Sequence, residues 1–241
     1  MTAVIFMSCS KDEKPDTKPS GCYLSTIHDA NGGGKYDLKY NQEGLVSLVK
    51  LHLDDDVIDY KITYEKERIV VDLSDTRNNK YLGQNVYTLT NGLVSKVYYN
   101  EEGSKSEEVF EYTDGFLSKI KNSRGFNKNL TYKDGNLTKV EIEGAPYNVK
   151  YEYDLSLPYV GHSVSVIYSD AEHGNLDDND IYPFLYEQGF FGKRPKNRIV
   201  ATDITKKSIE YKFDSKNNLQ SILYSDVNDS EELSTFNYSC N

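Results

Sequence analysis

The chain has no tryptophan among its 241 residues, and only two methionines, three cysteines and six prolines. The cysteines form no CxxC pair and join no histidine cluster, so no zinc-binding pattern is present. No run of 18 apolar residues occurs, which excludes a transmembrane helix. Basic residues number 28 against 38 acidic ones, a net charge of −10. Such a chain lacks the basic footprint of a nucleic-acid binder and is not steered toward anionic headgroups. The glycines at 32–34 are followed by no GK[ST], and no GxSxG occurs. NLDDND at 175–180 lacks the turn glycine and distal glutamate of a calcium loop, and reads instead as a helix cap. Asp54, Asp55 and Asp56 read as a solvated turn. His28, His52, His162 and His173 sit in unrelated contexts. No catalytic residue, metal ligand or cofactor motif is therefore read.

Tyrosine, by contrast, is abundant: 21 residues, in a chain that is only 37% hydrophobic. A tyrosine ring can face a core while its hydroxyl faces water, which suits half-exposed strands. The tyrosines recur inside a repeated phrase. Residues 132–140 read YKDGNLTKV, residues 112–120 read YTDGFLSKI, and residues 90–97 read TNGLVSKV. Asn91-Gly92, Asp114-Gly115 and Asp134-Gly135 are strong two-residue hairpin signals, because a type I′ turn needs positive φ at both central residues. Weaker copies place Gly44, Glu67 and Asn217 at the turn. Successive turns from Gly44 to Gly135 are 20 to 25 residues apart, one hairpin per repeat. Lys96, Lys119 and Lys139 recur at one position and read as outward residues that keep a strand soluble. The fold expected is all-β: an up-and-down antiparallel meander of about 12 to 14 strands, strongly curled or barrel-like.

The repeat fails between about 154 and 200. A strand is read at Ser163 to Tyr168. Then comes NLDDNDIYPFLYEQGFFGKRPKNRIV. Asn179 or Asp180 as a cap, Pro183 in the first turn and Gly189 as a stop predict one short helix over 180–188. Ile181, Tyr182, Phe184, Leu185, Tyr186, Phe190 and Phe191 make the densest apolar cluster in the chain. Two readings stay open. The segment plugs the concave side of the sheet, or it projects outward as a contact with Lys193, Arg194 and Lys196 as a basic rim.

The N-terminus reads differently. Apolar residues 3–7, small Ser8 and then Cys9 resemble the end of a bacterial lipoprotein signal, with Cys9 the lipidated residue. The apolar run is short and has no basic start, so the sequence reads as clipped upstream. Residues 1–9 are thus a signal remnant, 10–21 a flexible tether and 22–241 one β-meander domain. In an exported protein, the remaining Cys22 and Cys240 suggest a disulfide.

The hairpin repeats, the lipoprotein start and YPFLYEQGFFGKRPKNRIV together resemble a Bacteroidetes family of lipoproteins of unknown function. That family has a porin-like, single-sheet β-meander fold, in which an apolar helix and a GKxPKN-like loop, here Gly192 to Asn197, interrupt the hairpins. The resemblance implies a fold and a compartment, the outer-membrane-anchored cell envelope, but no reaction. The expectation is a non-catalytic binding module for a glycan, peptide or envelope protein, touching the membrane through its lipid alone. The alternatives are an accessory subunit of an outer-membrane complex and a hydrolase with dispersed residues. A membrane-spanning barrel is disfavoured, because the strands are short and carry Lys opposite their apolar residues.

Overall fold

In the computed structural model, residues 22–240 are described, apart from 29–33, 54–55, 102–103, 124, 126, 145–147, 162–180, 204–207 and 226–230. The lipobox at Cys9, the tether, the strand at 163–168, NLDDND and the histidines His162 and His173 lie outside the described residues.

Among the described residues, sixteen antiparallel strands close into one barrel. They are β1 (Cys22–His28), β2 (Lys35–Tyr40), β3 (Val46–His52), β4 (Val57–Tyr64), β5 (Arg68–Asp75), β6 (Lys80–Thr90), β7 (Leu93–Glu101) and β8 (Ser104–Thr113). Then follow β9 (Phe116–Asn122), β10 (Lys128–Lys133), β11 (Asn136–Ile142), β12 (Asn148–Pro158), β13 (Asn197–Thr202), β14 (Ser208–Phe213), β15 (Leu219–Ser225) and β16 (Glu231–Cys240). Each strand pairs with its neighbours in sequence, and β1 pairs with β16. Closure removes both exposed edges. The strand number exceeds the expected range because the segments beyond the recognisable repeats, including β1, β12, β13 and β16, also join the ladder.

The turns form for the reason their residues suggest. Asn91, Asp114 and Asp134 have φ of 53°, 54° and 53°, and the glycines after them 81°, 81° and 83°. Positive φ at both positions gives the turn a twist that matches the strands. Along each strand, burial alternates. In β5, Ile69, Val71 and Leu73 are buried and face the lumen, while Val70, Asp72 and Ser74 between them are less so.

The helix, α1 (Tyr182–Glu187), lies in the β12–β13 connection. It is shorter than the 180–188 expected. Its N-cap is Ile181, with no side-chain capping bond; Asn179 and Asp180, expected as caps, lie outside the described residues. Pro183 does sit in the first turn, and Gly189 ends the helix with φ of 85°. The missing cap follows from burial. Ile181 is fully enclosed, so packing holds this helix start in place of a capping side chain.

Candidate functional site

The lumen and the segment that fills it are the candidate site. A barrel of about 16 strands is wide enough to leave an aqueous channel. Here the inward side chains do not fill it alone. Ile181, Tyr182, Phe184, Leu185, Tyr186 and Phe191 are all buried, at 5% exposure or less. A helix that is apolar around its circumference belongs inside a structure.

The rings interlock with strands around one side of the barrel. Tyr182 meets Tyr87 and Phe110 edge to face, at 6.1 and 6.0 Å between centroids, and Phe191 at 5.0 Å. Phe184 lies 6.1 Å from Tyr36, and half-buried Phe190 stacks on Tyr64 at 5.6 Å. Such offset and edge contacts add to area burial.

One carboxylate is enclosed with them. Glu108, 4% exposed, accepts from the Tyr182 hydroxyl at 2.5 Å, the Tyr99 hydroxyl at 2.9 Å and Asn122 Nδ2 at 2.9 Å. The Tyr99 and Tyr182 hydroxyls also touch. Burial, above all, pushes both phenols well above the ordinary tyrosine range, and the nearby Glu108 adds to this. A carboxylate surrounded by hydrogen-bond donors in an enclosed core ties α1 to β7 and β8.

The segment from Phe190 to Lys196, which includes most of the GKRPKN loop, is a latch across three hairpins. Val94 N–H donates to the Phe190 carbonyl at 2.8 Å; Lys193 N–H donates to the Gly115 carbonyl at 2.8 Å; Lys196 N–H donates to the Gly135 carbonyl at 3.0 Å. The latch positions are three residues apart. Neighbouring hairpins are separated by two strand spacings, about 9.5 Å, which lies within the reach of three residues. The loop therefore keeps step with the repeat. Asn197 ends it: its N–H donates to Asn136 Oδ1 at 2.9 Å, and its amide donates to the Leu155 and Leu157 carbonyls. Arg194 turns inward to Glu187 at 3.1 Å, so it is no part of an open rim. Lys193 and Lys196 remain exposed, Lys193 lying 5.5 Å over the Phe116 ring.

The sequence suggests tyrosines with rings toward the core and hydroxyls toward water; at Tyr64 and Tyr112 the hydroxyl meets a backbone carbonyl instead. The Tyr64 hydroxyl lies 2.7 Å from the Val46 carbonyl and 2.7 Å from Gln188 Oε1. The Tyr112 hydroxyl donates to Val94 at 2.6 Å. In both cases the carbonyl belongs to the second residue after a turn position, Gly44 or Gly92. Each tyrosine thus fastens its hairpin to one before it.

Of the other residues singled out, Cys22 is buried and stands opposite Cys240 in the β1–β16 register. Lys96 pairs outward with Glu107 at 2.5 Å and Lys139 with Glu141 at 2.6 Å. His52 reaches Asp37 at 2.8 Å on a part-exposed strand face. No cluster of three or more His, Cys, Asp or Glu residues that could hold a metal occurs among the described residues.

A family described as a domain of unknown function (DUF4595) with porin-like fold matches residues 38–232. The chain belongs to that family. Among solved structures, this porin-like domain is similar to a porin-like protein from Bacteroides uniformis ATCC 8492, with a TM-score of 0.60 and 13% identity, over 91% of this chain and 95% of that one. It is also similar to a porin-like protein from Bacteroides vulgatus ATCC 8482, with a TM-score of 0.56 and 13% identity, over 91% and 99% of the two chains. At that identity the likeness is one of fold. No curated protein matches the sequence.

Proposed function

We propose that this porin-like domain is an exported envelope protein, lipid-anchored through Cys9, that acts as a non-catalytic binding module. The observation that carries the reading is the outer wall. Lys50 and Asp59 pair there at 2.9 Å, Lys96 and Glu107 at 2.5 Å, Lys139 and Glu141 at 2.6 Å, and Lys121 meets Glu111. Membrane barrels carry an apolar outer band around a polar lumen. This barrel has the reverse arrangement, with charge outside and packed aromatic side chains inside. That supports a barrel that stands in water and is held to the membrane only by a lipid. With the lumen filled, a ligand has the rims and outer wall to bind, and the reading places a glycan, peptide or envelope protein there.

Two measurements test it. Placed behind a complete signal and expressed in a Gram-negative host, the chain should incorporate labelled palmitate, and Cys9→Ala should not. Label retained by the variant overturns the anchor. Purified protein should add no conductance to a planar bilayer and should bind on a glycan or peptide array; single-channel currents overturn the water-facing reading, and an empty array overturns the module.

A further inference from the structure

At the end of the barrel that carries the repeat turns, β15 and β16 part company. Their last paired positions are Ser221 and Thr235. From there β16 runs on beside β1 as far as Cys240, while β15 turns back through residues 214–218 into β14. The wedge between them is a cleft of about 250 Å³. We propose that this cleft binds one unit of a neutral carbohydrate, which gives the binding-module reading above a site and a ligand class, and rests on that reading.

The lining carries the argument. Leu219 and Phe236, at 4% and 5% exposure, form an apolar floor. Gln220 and Asn237 stand exposed at the rim, and their side-chain amides make no hydrogen bond among the described residues. Each amide offers donors and an acceptor, the chemistry that matches vicinal hydroxyls. An apolar floor with a few convergent polar groups is the usual form of a small-molecule site, though this one falls below the usual size of about 300 Å³ and so suits a single ring.

Charge is already accounted for within the cleft. Asp214 Oδ1 accepts from the N–H groups of Lys216 and Asn218 at 2.8 and 2.9 Å, and its Oδ2 accepts from Asn218 Nδ2 at 2.9 Å. With its carboxylate held in the turn, Asp214 offers little to a cationic ligand. Lys216 is the one cation in the lining, too little for an anionic one. Strand addition is also obstructed. The half-buried Tyr238 side chain lines the wedge beside Leu219, on the edge that an extended peptide would need. A neutral, hydroxyl-bearing ring is what remains.

The test titrates the full chain, by protein-observed NMR, with maltotriose, cellotriose, xylotriose, mannotriose and chitotriose. At least one should bind in the millimolar range or tighter, with shifts concentrated at Gln220, Asn237 and Tyr238. Gln220→Ala combined with Asn237→Ala should weaken it about tenfold or more, with the thermal midpoint unchanged. Binding that survives the double variant overturns the cleft and leaves the module reading standing. No binding by any of the five sugars overturns the carbohydrate assignment; an extended peptide that binds in their place does the same and retains a module.

Discussion

A Cβ added at Gly192 would stand 2.5 Å from the carbonyl oxygen of Gly115, the same oxygen that accepts the Lys193 N–H at 2.8 Å. Gly192 also has φ of 88°. Two independent reasons therefore demand glycine at the centre of the latch. Gly192→Ala should lower stability by about 3 kcal/mol, with strain and a displaced latch acting together. Gly92→Ala is the control, because its φ is 81° but nothing lies within 4 Å of the added atom. It should cost only about 1 kcal/mol. Equal urea midpoints for the two variants would reject the latch.

The plug makes a larger prediction. Phe184 is 5% exposed and Phe190 stacks on Tyr64. Phe184→Ala with Phe190→Ala should cost about 5 kcal/mol, in the range of large-to-small core changes. A double variant that melts like the parent would sink the plug and return the segment to the role of a surface contact.

The barrel closes where Cys22 faces Cys240. Directly opposed residues on antiparallel strands have Cα atoms about 4.5 to 5.5 Å apart, within the span of a disulfide. The expected bond would join the two ends of the fold across one seam. In the chain-entropy account, closing so long a loop stabilises by about 5 kcal/mol. Non-reducing mass spectrometry of protein from an oxidising compartment should find the linked pair; two free thiols would reject it.

Alkali should unfold the barrel by a defined route. Burial raises the hydroxyls of Tyr40, Tyr64, Tyr112, Tyr132 and Tyr153 above the ordinary tyrosine value, and pushes Tyr238 up to about 12. A group whose folded pKa is raised stabilises the fold fully below its unfolded pKa, and that contribution is lost as pH rises through the folded value. Stability should therefore hold up to about pH 10, the unfolded tyrosine value, and fall above it. Absorbance at 295 nm should show these phenolates appearing together with loss of the far-ultraviolet strand signal. Ionisation of all tyrosines near pH 10 with the fold intact would contradict the enclosed clamps. On the acid side the sign reverses. Asn218 beside Asp214 and Ser156 beside Asp154 hold those carboxyls below the usual range, so the turn contacts they support should loosen only as pH falls below about 4.

By itself, the sequence determined what depends on a few neighbouring residues. Asn91-Gly92, Asp114-Gly115 and Asp134-Gly135 prescribe positive φ wherever they stand, so the hairpins, their spacing and the all-β class were legible. Strand alternation set which face would be buried, and Pro183 and Gly189 marked the helix. Tertiary structure alone decided the rest, because it rests on contacts far apart in the chain. The meeting of Cys22 with Cys240 needed the whole curvature of the sheet. Tyr64 gives no local sign that its hydroxyl will reach Val46, nor Glu108 that it will receive Tyr182 from 74 residues away. The wedge between β15 and β16 exists because β16 must follow β1 to close the barrel, a demand made by the opposite end of the sequence. Local φ preferences act within a few residues, whereas closure, filling of the lumen and the cleft follow from how the completed sheet meets itself.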